Sequence, residues 1–253
     1  MIFKDLNKGR FYNADCFDTM KEIPDGVIDM ILADLPYGTT AAKWDSILPL
    51  DKLWNEYFRI TKENAAIVLT CMQSFTSQLI MSQINNFKYC WIWDKVNKFT
   101  GALNAKIMPM LDYEDIAIFY RKPCLYNPQL REGSYITRHS TGNRNTDTVG
   151  KSNHTPDVGR QINGLNPRRI ISFEGHSTKK SYHPTQKPVA LFEYLIKTYT
   201  DENDLVLDNC AGSGTTGMAC KNLNRNCILI EKDEGYFKIA ERRINQATKE
   251  LFV

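Results

Sequence analysis

The chain has 253 residues, 42% of them hydrophobic and 24% charged, with a formal net charge of +3. That is the composition of an ordinary globular protein with enough apolar side chains for one large α/β core or two small ones. No apolar run approaches the roughly 18 residues of a membrane span, and the polar start MIFKDLNKGRFYNAD is unlike a secretory leader, so a cytoplasmic protein with no membrane partner is expected.

In chain order, four apolar runs read as strands: VIDMILA (27–33), AAIVLT (65–70), KYCWIW (88–93) and YEDIAIFY (113–120). Helical patterns, PLDKLWNEYFRIT (49–61) and SFTSQLIMSQI (74–84), fall between them. This alternation implies a mostly parallel sheet with helices on its faces. Trp91 and Trp93 lie in a strand pattern and are expected in the core or on a sheet face. From about 122 to 182 the periodicity fades and Gly, Asn, Ser, Thr and Pro dominate. Nine basic residues stand against four acids between 131 and 180, and that bias favours a functional insert over a disordered tract. After it the α/β rhythm returns: a helix PVALFEYLIKTYT (188–200), a strand LVLDNC (205–210), a glycine turn, a helix TGMACKNL (216–223), a strand NCILIE (226–231) and a last helix DEGYFKIAERRINQATKEL (233–251).

The expected architecture is therefore one doubly wound α/β domain built from residues 1–121 and 183–253, with an insert at 122–182. Seven cysteines are scattered, odd in number and never spaced C-x-x-C, and the histidines (His139, His154, His176, His183) lack ligand spacing. Neither a disulfide framework nor a metal site is expected.

Two motifs carry chemistry. VLDNCAGSGTTG (206–217) places Gly212 and Gly214 between a strand and a helix, where absent side chains let backbone approach a ligand. With Gly217, and with Glu231 nineteen residues beyond Gly212, the pattern also matches a dinucleotide fingerprint. Only 22 residues follow Glu231, too few for a second nucleotide-binding half, and the Asp208 carboxylate would repel a pyrophosphate. S-adenosylmethionine (AdoMet), with its amino acid head, sulfonium and ribose, fits better; a plain strand-to-helix turn is the bland alternative.

The second motif is the end of the first strand, ILADLPYGTT (31–40). The exocyclic amino group of a base attacks a methyl group poorly, because its lone pair is delocalised into the ring. Acceptors on its two hydrogens draw them out of the ring plane and free that lone pair. Asp34 supplies one acceptor and a backbone carbonyl at Leu35 the other. Pro36 holds Leu35 extended, and Tyr37 offers a face on which an extruded base can stack.

At this point the chain resembles the β-group of amino DNA methyltransferases, over nearly its whole length. The resemblance rests on DLPY (34–37), the polar basic insert, HPTQKP (183–188), DNCAGSGTT (208–216) and IEKDEGYFKIAERRI (230–244), in that order. It implies a Rossmann-like AdoMet-dependent methyltransferase fold with an inserted target-recognition region, AdoMet as cofactor and DNA as substrate. By the family's pattern Asp34 and the Leu35 carbonyl bind the target amino group and Tyr37 stacks on the base. Asp208, Ala211, Gly212 and Gly214 hold the methionine portion of AdoMet, and Glu231 holds the ribose. Asp15 meets the adenine amino group of the cofactor, while Thr185 and Lys187 reach its carboxylate.

Three departures stand out: Leu35 for the first Pro of the motif, Asn209-Cys210 where Pro-Phe is common, and Ala14 for a Gly. Asp34 in a position where cytosine-directed relatives tend to carry Ser implies adenine N6 as the target, with cytosine N4 as the alternative. Methylation of RNA or of a protein glutamine is disfavoured by motif order, a nucleotide-dependent oxidoreductase by the short tail, and an inert DNA-binding module by the intact Asp34, Pro36, Tyr37 and Glu231. The basic insert and the loop NKFTGALNAK (97–106) are expected to track phosphates, and a homodimer and a companion restriction endonuclease fit the resemblance.

Overall fold

The computed structural model describes residues 2–6, 8–39, 45–136, 161–175 and 186–246. Two compact units divide the chain, one of Met1–Asn127 with Arg169–Val253 and one of Pro128–Arg168. The larger unit begins with β1 (Ile2–Leu6), β2 (Gly9–Asn13), α1 (Cys16–Lys21), β3 (Ile28–Asp34), α2 (Leu50–Ile60), β4 (Thr61–Cys71), α3 (Phe75–Ser82), β5 (Phe87–Asp94) and β6 (Tyr113–Phe119). The smaller unit contributes β7 (Arg131–Ile136) and β8 (Gln161–Leu165), an antiparallel pair. The larger unit then resumes with β9 (Ile170–Ser172), α4 (Val189–Tyr199), β10 (Leu205–Asp208), α5 (Thr215–Asn222), β11 (Asn226–Glu231) and α6 (Glu234–Gln246).

Nine strands form one sheet in the order β1-β2-β11-β10-β3-β4-β6-β5-β9. Its central strands β2, β11, β10, β3 and β4 are parallel, whereas β6 runs antiparallel to both β4 and β5. Strands covered on both faces read as unbroken apolar runs, because successive side chains enter opposite layers. In β3, Met30 and Leu32 pack into a core under α4, α5 and α6, while Ile31 and Ala33 pack into a second core under α1, α2 and α3. Helix α2 presents Leu53, Trp54, Tyr57 and Ile60 to that second core, all at most 2% exposed. Each such side chain contributes about 1.5–3 kcal/mol of burial.

Trp91 and Trp93 are core residues, each 3% exposed. Their indole N–H groups are satisfied, by the Tyr199 hydroxyl at 2.7 Å and the Phe173 carbonyl at 2.8 Å, as buried donors must be. Five strands have no counterpart in the predicted ones: β7 and β8 of the smaller unit, and three at the edges of the large sheet. The β1–β2 hairpin caps one edge, where Gly9 (φ +155°) is obligatory because a Cβ there would lie 1.9 Å from the Cys227 carbonyl oxygen. At the other edge residues 170–172 leave the aperiodic polar stretch and pair with β5 as β9. No described helix is long and apolar enough to cross a membrane.

Candidate active site

Strands β10 and β3 lie side by side, and the chain leaves them in opposite directions, β3 through α2 to β4 and β10 through α5 to β11. Such divergence opens a crevice at the carboxyl ends of the strands. Three adjacent strands each end in an acid at this edge: Glu231 on β11, Asp208 on β10 and Asp34 on β3.

On the β10 side the acids build the glycine turn. Asp208 is 2% exposed; its Oδ1 accepts the Cys210 amide at 3.0 Å and its Oδ2 accepts the Thr216 hydroxyl. Burial, reinforced by the nearby charges of Asp34 and Glu231, pushes its pKa up to about 7 against the pull of those donors. Glu231 takes the Gly212 amide on Oε2 at 2.7 Å and the Asp233 amide on Oε1 at 2.8 Å, and burial raises its pKa too. Gly214 sits at φ +80°, and a Cβ there would lie 2.8 Å from Cβ of Ala240 on α6, so neither the turn nor its packing admits a side chain. Ala211 is buried, and its amide donates to the Ile230 carbonyl at 2.9 Å. Asn209 accepts the Tyr57 hydroxyl at 2.5 Å, which gives that departure from the family pattern a structural partner on α2.

On the β3 side, Oδ1 of Asp34 accepts the Tyr37 hydroxyl at 2.7 Å and the Thr70 hydroxyl, and Oδ2 accepts Nζ of Lys187 at 2.9 Å. Lys187, 4% exposed, lies also 3.1 Å from Oε2 of Glu114, whose Oε1 is 2.8 Å from Nζ of Lys95. Two carboxylates and two ammonium groups thus alternate through the site. Burial works to lower the Lys187 pKa, but Asp34 and Glu114 outweigh it and hold it above the ordinary lysine value. Burial works to raise that of Glu114, but Lys187 and Lys95 hold it below the usual carboxylate range. The Tyr37 phenol is raised well above its ordinary value by burial and by both carboxylates, so it is a hydrogen-bond donor and never an anion here. Its ring stacks on Phe75, with centroids 5.5 Å apart. Beyond it, the Gly38 and Thr39 amides donate to Asp45 at 2.8 and 2.9 Å, which fixes the turn after DLPY.

The structure thus brings Asp34, Tyr37, Lys187, Asp208, Gly212 and Glu231 to one edge of the sheet. Leu35 is buried among the α1–α3 side chains at 3% exposure. Asp15 caps α1 through the Phe17 amide at 3.0 Å and pairs with Lys232 at 3.1 Å. Burial raises the Asp15 pKa, but these donors outweigh it and leave it below the ordinary value. Lys187, expected from the resemblance at a cofactor carboxylate, has its ammonium on Asp34 and Glu114. Thr185 lies outside the described residues, as do all four histidines. Among the described residues no group of His, Cys, Asp and Glu is placed to hold a metal ion. Sequence reasoning missed Thr70, Lys95, Glu114 and Asp45. The available signal was a charge at the start or end of an otherwise apolar run, Glu114 in YEDIAIFY and Lys95 after KYCWIWD, on paired antiparallel strands.

Fold and site define a Rossmann-like methyltransferase. Among solved structures, the chain superposes on M1.HpyAVI, described as a complex with SAM, with TM-score 0.60 and 26% identity over 93% of this chain and 99% of that one. It shares the fold of the PvuII DNA methyltransferase, described as cytosine-N4-specific, with TM-score 0.63 at 15% identity, covering 96% of this chain and 92% of that one. The Type II methyltransferase M2.LlaDCHI of Lactococcus lactis subsp. cremoris is 47% identical over 92% of this chain and 88% of its own. The chain belongs to the N6/N4 DNA methylase family, whose pattern matches residues 28–242, and it is a DNA methyltransferase.

Proposed function

We propose that this methyltransferase modifies the N6 amino group of adenine in DNA, with AdoMet as methyl donor. The observation that carries the reading is the Asp34 carboxylate at the end of β3, next to the Asp208 and Glu231 strand ends. AdoMet supplies an electrophilic methyl group on a cationic sulfonium. The residues present suit it: three acids line the crevice, and a turn of positive-φ glycines leaves room above the strand end. Asp208 and the Ala211 to Gly214 turn take the methionine portion. Glu231 takes the ribose hydroxyls, since each of its oxygens keeps a second lone pair beside the amide it already accepts. Asp15 takes the cofactor's adenine, and Thr185 belongs with its carboxylate.

A carboxylate offers about four lone-pair sites. On Asp34, three accept Tyr37, Thr70 and Lys187, and the fourth receives one hydrogen of the target amino group. The Leu35 carbonyl, aimed by Pro36, receives the other. Lys187 keeps Asp34 in place and sets its ammonium 5.5 Å from the centre of the Tyr37 ring, and Tyr37, backed by Phe75, is the aromatic residue that meets the extruded base. Transfer is direct and in line, a new N–C bond forming as the S–C bond breaks with S-adenosylhomocysteine as the leaving product, and the amino group then gives its extra proton to solvent. Within the insert at 122–182, the smaller unit Pro128–Arg168 is the body of the target-recognition region, where Arg131 and Arg168 meet phosphates, while β9 belongs to the catalytic sheet; a homodimer and a companion restriction endonuclease belong to the same reading.

The test is to incubate the protein with AdoMet and unmethylated DNA, digest to nucleosides and identify the product by mass spectrometry. N6-methyladenine is expected. N4-methylcytosine would keep the site chemistry and overturn the base; no methylated base would overturn both.

Asp208 also predicts a trade of stability for binding. Its folded pKa of about 7 lies above the unfolded value, so its contribution to stability is full in acid and is lost as pH rises through about 7. Asp208→Asn is therefore expected to raise the Tm of the ligand-free protein at pH 8 by several degrees, with little gain at pH 4, and to weaken AdoMet at least about tenfold. Calorimetry at both pH values checks it; a lowered Tm at pH 8 would show that the carboxylate stabilises the turn instead.

A further inference from the structure

Strands β5 and β6 continue past the carboxyl edge of the sheet into a hairpin finger, residues 95–112. Its backbone is built. The Lys95 amide donates to the Asp112 carbonyl at 2.9 Å, and Thr100 and Leu111 exchange both backbone bonds at 2.8 and 3.0 Å. Gly101, at φ +85°, leads into a single 3-10 turn at Ala102–Asn104, and the Ile107 and Met108 amides both return to the Asn104 carbonyl at 2.9 and 3.0 Å.

This hydrogen-bonded scaffold carries apolar side chains into solvent. Residues 96–110 are all exposed, and among them are Val96, Phe99, Leu103, Ile107, Met108 and Met110. Leu103 is 100% exposed and Ile107 82%. A cluster of that kind on an ordered hairpin marks a surface that some partner covers. The same stretch holds Lys98 and Lys106 and no acidic residue, a charge that complements a polyanion with apolar faces. The finger is rooted at the site itself: Lys95 and Glu114, one at each base, are joined at 2.8 Å, and Glu114 continues to Lys187 and Asp34.

A polyanion exposes apolar faces where a duplex loses a base from its stack. We propose that the 95–112 finger is a wedge that enters the duplex beside the target base, with Leu103 and Ile107 covering the bases that extrusion uncovers and Lys98 and Lys106 on the flanking phosphates. The proposal rests on the DNA reading above and adds to it the device that opens the duplex. Unstacking costs a few kcal/mol, and apolar contact with the opened step offsets part of it. A second copy of this chain is the weaker occupant, because two fingers meeting would set their lysines against one another.

The test compares methylation rates on a duplex, on the single strand of the same sequence, and on a duplex lacking the base opposite the target. Wild type is measured against Leu103→Ser/Ile107→Ser, two exposed positions whose replacement leaves the core intact. On the duplex the variant is expected to lose at least about tenfold. On the single strand it should stay within about twofold, and the duplex lacking the opposite base should recover most of the loss. The fluorescence rise of 2-aminopurine at the target position should fall in parallel. Equal losses on duplex and single strand, or no loss on either, would overturn the wedge. A shift from dimer to monomer accompanied by equal losses would overturn it in favour of contact between copies. Wild-type protein that methylates no DNA at all would remove the reading beneath the wedge, and the wedge with it.

Discussion

Asp34→Ala is expected to slow methyl transfer by about 10²- to 10³-fold while the protein still folds and binds AdoMet. The side chain gives the target amino group a fixed acceptor, and its loss is felt mainly once charge develops on the attacking nitrogen. Folding should tolerate the change. The Tyr37 and Thr70 hydroxyls can rotate to each other, 3.0 Å apart, and Lys187 keeps Glu114 at 3.1 Å. Single-turnover rates at saturating AdoMet and DNA measure the chemical step, and calorimetric titration of AdoMet measures binding separately. Asp34→Asn sharpens the test, since an amide retains the shape but sets an N–H donor against one of three donors already present. It should lie near the alanine variant. A rate within about tenfold of wild type for either variant would remove Asp34 from the transfer step.

Most of the strands that position Asp34 were legible, because covering a strand on both faces demands the continuous apolar runs seen at 27–33, 65–70 and 226–231. So were the acids at their ends, since a carboxylate closing such a run has no packing reason to be there. Direction was not legible: YEDIAIFY reads alike forwards and backwards, and only its pairing shows β6 antiparallel to β4. Short elements also escaped. Strand β9 has three residues and α1 six, too few for a period to emerge. Lys187 could be singled out from its motif, but its partners could not, because Asp34 lies 153 positions away and nothing in YEDIAIFY tells whether Glu114 or the adjacent Asp115 faces the site. Charge alternation across a site is a property of the folded sheet, and no local window of sequence contains it.

That alternation makes Lys187 the residue whose loss should damage the fold most. Lys187→Met leaves Asp34 and Glu114 facing one another around an apolar side chain, with Lys95 on the far oxygen of Glu114 as the remaining cation. Removing one partner of a buried pair costs about 3–5 kcal/mol, and the lower end applies because Asp34 keeps some solvent contact. For a chain of this size, about 3 kcal/mol corresponds to a fall in Tm of roughly 6–12 °C. In the wild type Glu114 titrates below the usual carboxylate range, so its pairing contributes fully above the unfolded glutamate value and is lost as pH falls through the folded one. Lys187, held above the ordinary lysine value, contributes throughout the neutral range. In the variant the sign for Glu114 reverses: its pKa rises, and stability is lost as pH rises through it. The gap between wild type and Lys187→Met should therefore widen from pH 5 to pH 8 in urea melts. Adding Glu114→Gln to Lys187→Met should recover part of the gap, because one of the two facing carboxylates is then gone, whereas Glu114→Gln alone should destabilise. A penalty independent of pH, or strict additivity of the two substitutions, would mean that the ammonium group fills space between the strands without balancing their charge.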